Sequence, residues 1–248
     1  MSDAAGLRAK YEAEGVATER YASTAFWDRR YHQRRYGRIA VLLSTVLTRG
    51  SSFLDVGCGT GEYVALARAL GARTAIGVDV SSAYCRRLLP SAPVAQADAL
   101  TLPFRAKAFD VVLFSEVVEH LAPDSSCSAM REVHRVAGRA VVTTTPNGRA
   151  AIRRLARRLS PERVDRADAE VGHINLLEAD ALRRLGEVPG WQPQTVQVSH
   201  ILPPAIGAGM HLPASWGRTV ARLEMVCERL APRQGNVLLM VCRPAGDQ

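Results

Sequence analysis

Lysine is almost missing from this 248-residue chain: Lys10 and Lys107 are the only two, so arginine carries nearly all of the positive charge. The formal net charge is +8. An arginine- and alanine-rich, lysine-poor composition also arises from a GC-rich genome with no selection for an anionic partner, so the charge alone does not define a nucleic-acid or membrane protein. The five cysteines (Cys58, Cys85, Cys127, Cys227 and Cys242) contain no Cys-x-x-Cys pair and are odd in number. That excludes a disulfide framework and a zinc ribbon. No apolar run approaches the ~18 to 20 residues of a membrane span, and the polar N-terminus lacks the apolar core of a secretory signal. Aromatic residues are scarce at 6%, yet 47% of the chain is hydrophobic, too much for a chain that cannot build a core. These absences lead to the expectation of a cytoplasmic globular protein.

What is present is an alternation. Residues 19–49 read as helical, with Arg29, Arg30, Arg34, Arg35 and Arg38 running into the apolar IAVLLSTVL; a helical cap over residues 1–49 is expected. From Ser51 onward, SFLDV, TAIGVDV, PVAQA, FDVVLFS and RAVVTTT read as strands separated by helical stretches. Such a rhythm predicts an α/β domain with a parallel sheet covered by helices on both faces. It breaks at 146–172, where GRAAIRRLARRLSPERVDR reads as a basic amphipathic helix punctuated by Pro161. It resumes with helix EADALRRLGEV, strand TVQVSHIL, helix WGRTVARLEMVCERL and strand NVLLMVC. The loop 202–215 is long and apolar, which implies that it packs over the body, with His200 and His211 flanking it as structural side chains. Residues 50–248 are thus read as one domain with insertions at 146–172 and 202–232.

The strongest local signal is Asp55-Val-Gly57-Cys-Gly59-Thr-Gly61 at the end of the first strand. Glycines there let the chain turn sharply and bring backbone N–H groups to a ligand at the strand's carboxyl end. The spacing is not the Gly-x-Gly-x-x-Gly of a pyrophosphate site, and an anion loop has no use for Asp55 at its mouth. A ligand with an amino group suits it better. Asp79 closes the second strand, where an acid can bind both hydroxyls of a ribose, and Asp98 follows the third, placed to accept from an adenine amine.

FLDVGCGTGEY, IGVDVS, QADALTLPF and FDVVLFSEVVEHL resemble, in strict order over residues 51–145, the motifs of class I S-adenosylmethionine-dependent methyltransferases. GHINLLEADAL and GNVLLMVC extend the resemblance more loosely. It implies a seven-stranded Rossmann-like sheet whose last strand is antiparallel between the fifth and sixth, with an N-terminal helical cap and insertions that build an acceptor pocket. It implies S-adenosyl-L-methionine as cofactor, with Gly57, Gly59 and Gly61 cradling the methionine part and Asp55 near its amino end. Asp79 and Val80 would hold the ribose, Asp98 and Ala99 the adenine, and Ser115 the floor below the sulfonium. Arg34 or Arg38 from the cap would meet the methionine carboxylate. Trp27, Tyr31 and Tyr36 interleave with those arginines as a lid.

Methyl transfer also requires an aligned acceptor and, often, a base. Glu116, Glu119 and His120 directly follow the strand beneath the cofactor, and in a helix-like turn positions i, i+3 and i+4 share a face. His173 is placed to return to the same point. Two readings stand side by side. His120, His173 and Glu116 act as acid–base groups, or Glu116, Glu119, His120 and His173 bind a divalent ion such as Mg2+. The pattern is similar to ubiquinone-pathway O-methyltransferases and, in its metal form, to small-RNA terminal 2′-O-methyltransferases. The first implies a small-molecule acceptor methylated at oxygen, with a small-molecule N-methyltransferase and an RNA 2′-O-methyltransferase as alternatives. Nucleic acid is the less favoured partner, because no RNA-binding module or aromatic stacking platform stands out.

Overall fold

Strands buried on both faces read as continuous apolar runs, and the chain has such runs at its centre. In β1 (Ser52–Val56) and β4 (Phe109–Ser115) nearly every residue is buried. A computed structural model describes residues 25–88, 93–203 and 212–246; residues 1–24 of the expected cap, and His211 with residues 204–210 of the apolar loop, lie outside them. β2 (Thr74–Asp79) and β3 (Val94–Gln96) extend the sheet on one side, and β5 (Ala137–Pro146), β6 (Trp191–Ser199) and β7 (Val237–Pro244) on the other. The order is β3-β2-β1-β4-β5-β7-β6. β1 to β5 are parallel, and β7 is antiparallel to both β5 and β6. This is the sheet that the resemblance implies.

Each face has its own core. On one, α1 (Phe26–Val46) and α2 (Glu62–Ala69) contribute Ile39, Leu43, Val46 and Val64, packed with Phe53, Val111 and Leu113 of the sheet. On the other, α4 (Pro123–Val136) and α7 (Ala179–Gly186) contribute Met130, Val133 and Leu182, packed with Leu54, Val112 and Phe114. α3 (Ser82–Leu88) covers the β2–β3 margin. The 146–172 segment is two helices rather than one, α5 (Ala151–Leu159) and α6 (Pro161–Val171), because Pro161 takes a first-turn position, where a missing N–H costs nothing. The sixth strand begins at Trp191, before the expected TVQVSHIL, and contains Pro193; it is an edge strand, where proline is tolerated, and its register shifts between Pro193 and Thr195. Last, α8 (Gly217–Leu230) lies along α1 and leads back into β7.

Candidate functional site

The carboxyl ends of β1, β2 and β4 bring the acidic and glycine residues together. After β1 the chain turns through left-handed backbone at Gly57 (φ 78°), Gly59 (φ 49°) and Gly61 (φ 76°) before α2 begins. Gly57 has no alternative: a Cβ there would also stand 2.3 Å from Val117 Cγ2. A Cβ on Gly59 would meet nothing within 4 Å, so that side of the loop is open to a ligand. Asp79 ties the loop down, accepting from the Gly59 amide and from the Ser81 amide, each at 2.9 Å. Each carboxylate oxygen keeps a second acceptor site for a ribose hydroxyl. Asp98 accepts from the Leu100 amide at 2.9 Å and shapes the turn after β3. Val80 accepts through its carbonyl from Gln96 Nε2 at 2.9 Å, and Ala99 packs against the core beside that turn. Ser115, buried at the end of β4, shares a hydrogen bond with Thr144 at 2.8 Å.

Asp55 is the telling residue. It is 1% exposed, and its Oδ2 has no hydrogen-bond partner among the described residues. Burial pushes its carboxyl well above the usual range, with Glu62 and Asp79 adding to the effect. A buried, unsatisfied carboxylate oxygen is costly. A cationic amino group beside it would remove that cost, so the residues fit S-adenosylmethionine. If so, Asp79→Ala should weaken S-adenosylmethionine binding by ~1.5 to 3 kcal/mol, the scale of hydrogen bonds involving charged groups. Calorimetry on a variant that keeps its thermal midpoint checks this; wild-type affinity would remove Asp79 from the site.

A second cluster forms beside β4 and β5. Glu116 stands in left-handed backbone (φ 57°), and a short 3-10 turn, Val118–His120, follows. This local geometry separates Glu116 from the other two. Its Oε2 accepts from Arg35 at 2.6 Å and its Oε1 from Thr144 at 3.1 Å. Glu116 therefore does not join the ligand group expected from the sequence. Glu119 and His120 do meet His173: one ligand atom of each lies within 4.8 Å of the others. α6 delivers His173. Gly172 ends that helix in the left-handed conformation (φ 78°), and the amides of Ile174 and Asn175 then donate to the Glu119 carbonyl at 2.9 and 3.0 Å.

Within the cluster the roles differ by burial. Glu119 is 0% exposed; its Oε2 accepts from Thr145 at 3.0 Å, while its Oε1 lies 4.0 Å from His173 Nε2. Burial, reinforced by Glu116, raises its proton affinity well above the ordinary value. Burial and then the neighbouring His120 lower His173 to about 4, so its ring is neutral near pH 7. His120 Nδ1 lies 3.0 Å from the Gly172 carbonyl. A carbonyl only accepts, so that nitrogen carries the proton, and in the neutral ring the lone pair is on Nε2. The threonines of β5 were not singled out as site residues. Their signal is a run of three hydroxyls, Thr143 to Thr145, directly after the apolar Ala140 to Val142 in a central strand, all fully buried.

The cap residues spread over three places. Tyr31 faces Arg35, Glu116 and Glu119, and burial, strengthened by the two glutamates and opposed by Arg35, raises its phenol to about 12. Tyr36 stacks on Tyr63 with ring centroids 5.5 Å apart, and Trp27 donates to the Leu212 carbonyl at 2.8 Å. Arg34 pairs with Glu224 at 3.2 Å. Arg38, expected at the cofactor's carboxylate, pairs instead with Glu228, so Arg35 is the cap arginine nearest the cluster. Arg38 also lines a cavity of about 640 Å³ with Asn147, Ser199 and Leu239, beyond β5. None of Asp55, Asp79, Glu119, His120 and His173 borders that cavity.

Comparison with known proteins agrees with this geometry. Residues 54–152 match the family profile described as a methyltransferase domain. A tRNA (carboxymethyluridine(34)-5-O)-methyltransferase from Xenopus tropicalis is 37% identical over 94 residues, 36% of this chain and 14% of that protein. A demethylmenaquinone methyltransferase from Staphylococcus epidermidis is 31% identical over 114 residues, 43% of this chain and 46% of its own length. The chain thus spans less than half the length of these curated relatives. Among solved structures, magnesium protoporphyrin IX methyltransferase from Synechocystis, with bound S-adenosylhomocysteine, superposes with a TM-score of 0.63 at 14% identity, covering 98% of this chain and 100% of that one. A SAM-dependent methyltransferase from Archaeoglobus fulgidus gives 0.57 at 17% identity, over 91% and 96%. Residues 54–152 thus match a methyltransferase domain, and the sheet has the fold of S-adenosylmethionine-dependent methyltransferases.

Proposed function

We propose that this protein transfers a methyl group from S-adenosylmethionine to an oxygen of a small-molecule acceptor. The observation that carries the reading is the buried, unpartnered Oδ2 of Asp55 at the mouth of the glycine loop, on a strand whose neighbour β4 leads into the turn that bears Glu119 and His120. Asp55, Gly57, Gly59, Gly61, Asp79, Val80, Asp98, Ala99 and Ser115 are the residues proposed to hold the cofactor. Bound there, it supplies an electrophilic methyl group on a sulfonium. The protein's part is to align the acceptor, exclude water and receive a proton; alignment alone lowers barriers by ~7 to 11 kcal/mol.

His120 is the proposed proton acceptor. It is part-exposed, and in the neutral ring its Nδ1–H bond to the Gly172 carbonyl leaves the lone pair on Nε2. Glu119 is sealed from solvent and serves as a positioning residue, holding the turn through Thr145 and the 172–175 backbone. His173, neutral near pH 7, lies against His120 with ring centroids 5.1 Å apart. Glu116 fastens the cap through Arg35 and is proposed to act there rather than as a base. The cap and the inward sides of the helices in 146–172 and 217–230 are proposed to enclose the acceptor.

A second reading rests on the same three side chains. Glu119, His120 and His173 could hold a divalent ion after closing by a fraction of an ångström, since ligands ~2.1 Å from one ion stand at most ~4.2 Å apart and these lie within 4.8 Å of one another. Such an ion would favour an acceptor hydroxyl ionised for transfer, as in RNA 2′-O-methylation. The deciding experiment is turnover in excess chelator, with metal analysis of the purified protein. Undiminished activity without bound metal is the expected result; loss in chelator with rescue by magnesium or a transition metal would install the metal reading instead.

A further inference from the structure

α8 is built inside out. Its buried residues are Val220 and Glu224, whereas Leu223, Met225, Val226 and Leu230 are exposed at 56, 50, 48 and 80%. Burying one such side chain is worth ~1.5 to 3 kcal/mol. A helix that turns a glutamate inward and four apolar residues outward is therefore not shaped by the core alone. The inward half has a partner: Glu224 meets Arg30 and Arg34, and Glu228 meets Arg38. That arrangement strips the outward face of acidic residues. What remains there is Arg218, Arg222 and Arg229 around a stripe of Leu223, Val226 and Leu230, spaced i, i+3 and i+7, with half-exposed Trp216 just before the helix.

α5 repeats the pattern next door. It buries no residue, and Leu155 and Leu159, one turn apart, are 56 and 77% exposed. Arg153 and Arg157 are drawn to Asp168 and Asp165 of α6, while Arg154 and Arg158 stay exposed. The chain leaving α8 passes the start of α5, where the Ala151 amide donates to the Gln234 carbonyl at 3.0 Å.

We propose that the outward face of α8 docks on an anionic phospholipid surface, with α5 as a second exposed helix of the same composition. Exposed leucines with arginine flanks and a tryptophan at one end are the composition of helices that lie in the headgroup region. Among the described residues no helix is long and apolar enough to cross a membrane, and the proposed contact uses one exposed helix face only. A nucleic acid is less well matched, because single strands are held by stacked aromatic rings and this face offers aliphatic side chains. A second copy is less well matched as well. Across a two-fold axis the arginines beside the stripe would oppose arginines, with no exposed carboxylate on the helix to pair them.

The test is flotation with vesicles of phosphatidylcholine containing phosphatidylglycerol, against pure phosphatidylcholine. The wild type should float with the anionic vesicles, less so at high salt, and little with the neutral ones. Leu223→Glu/Val226→Glu should reduce binding roughly tenfold or more. Arg222→Gln/Arg229→Gln should reduce it by a smaller factor that high salt abolishes. Both variants should keep the wild-type thermal midpoint and S-adenosylmethionine affinity. Absence of flotation by the wild type overturns the proposal, as does equal flotation of the leucine variant. A dimer dissolved by Leu223→Glu/Val226→Glu, or RNA capture lost in the arginine variant alone, would also overturn it and assign the face to a second copy or to nucleic acid.

Discussion

His120→Ala should lower turnover by ~10² to 10⁴-fold, the contribution of a positioned general base, with little change in S-adenosylmethionine affinity. The reason is geometric. Among Glu119, His120 and His173, Glu119 is sealed, and His173 is a weak proton acceptor because burial and His120 lower it to about 4. His120 combines exposure with a fixed tautomer, set by the Gly172 carbonyl. Stopped-time assays over a pH series would show the rate loss together with disappearance of the limb that a histidine base produces. Glu119→Gln should fall by a smaller factor, because glutamine retains an acceptor for Thr145. A His120→Ala enzyme with an unchanged pH profile would move the base elsewhere.

Glu224→Ala should destabilise the fold by ~3 to 5 kcal/mol, the cost of leaving a buried charge without its partner. Glu224 is 5% exposed and receives four interactions: both Arg30 nitrogens at 2.8 and 2.9 Å, Arg34 at 3.2 Å and the Leu202 amide at 2.7 Å. Arg30 is itself 8% exposed, so truncation strands it. It also removes one of the two buried residues of α8. For a chain of this size the thermal midpoint should drop by about 2 to 4 °C per kcal/mol. Calorimetric scanning measures it, and a midpoint within a degree of wild type would mean that the cap is held by other contacts.

The sheet was legible because its signal is local. FDVVLFS and SFLDV are mostly apolar, as strands covered on both faces must be, and each carries a proposed site residue, Ser115 or Asp55, at or next to its carboxyl end. The glycine loop was legible for the same reason, since positive φ and acidic strand ends leave a mark within a few residues. The position of Glu116 was not legible. A helical reading puts it on one face with Glu119 and His120, but its own left-handed backbone turns the carboxylate toward Arg35, 81 residues earlier. Arg38 went astray likewise: its partner Glu228 is 190 residues away, and sequence spacing carries no trace of that pairing. Basic residues at 30, 34 and 38 announce one helix face, but not whether it meets a cofactor carboxylate or a glutamate ladder.

Calorimetric titration of S-adenosylmethionine, repeated in buffers of different ionisation enthalpy, tests the central claim most directly. Burial raises the Asp55 carboxyl in the ligand-free protein, and a cationic amino group beside it favours the carboxylate, so binding should release protons. Affinity should then rise with pH across the window between the ordinary carboxylate range and the raised value, and level off above it. Asp55→Asn should bind more weakly and release no proton at this position. Binding with wild-type strength and wild-type proton release in Asp55→Asn, or no binding of S-adenosylmethionine by the intact protein, would contradict the account.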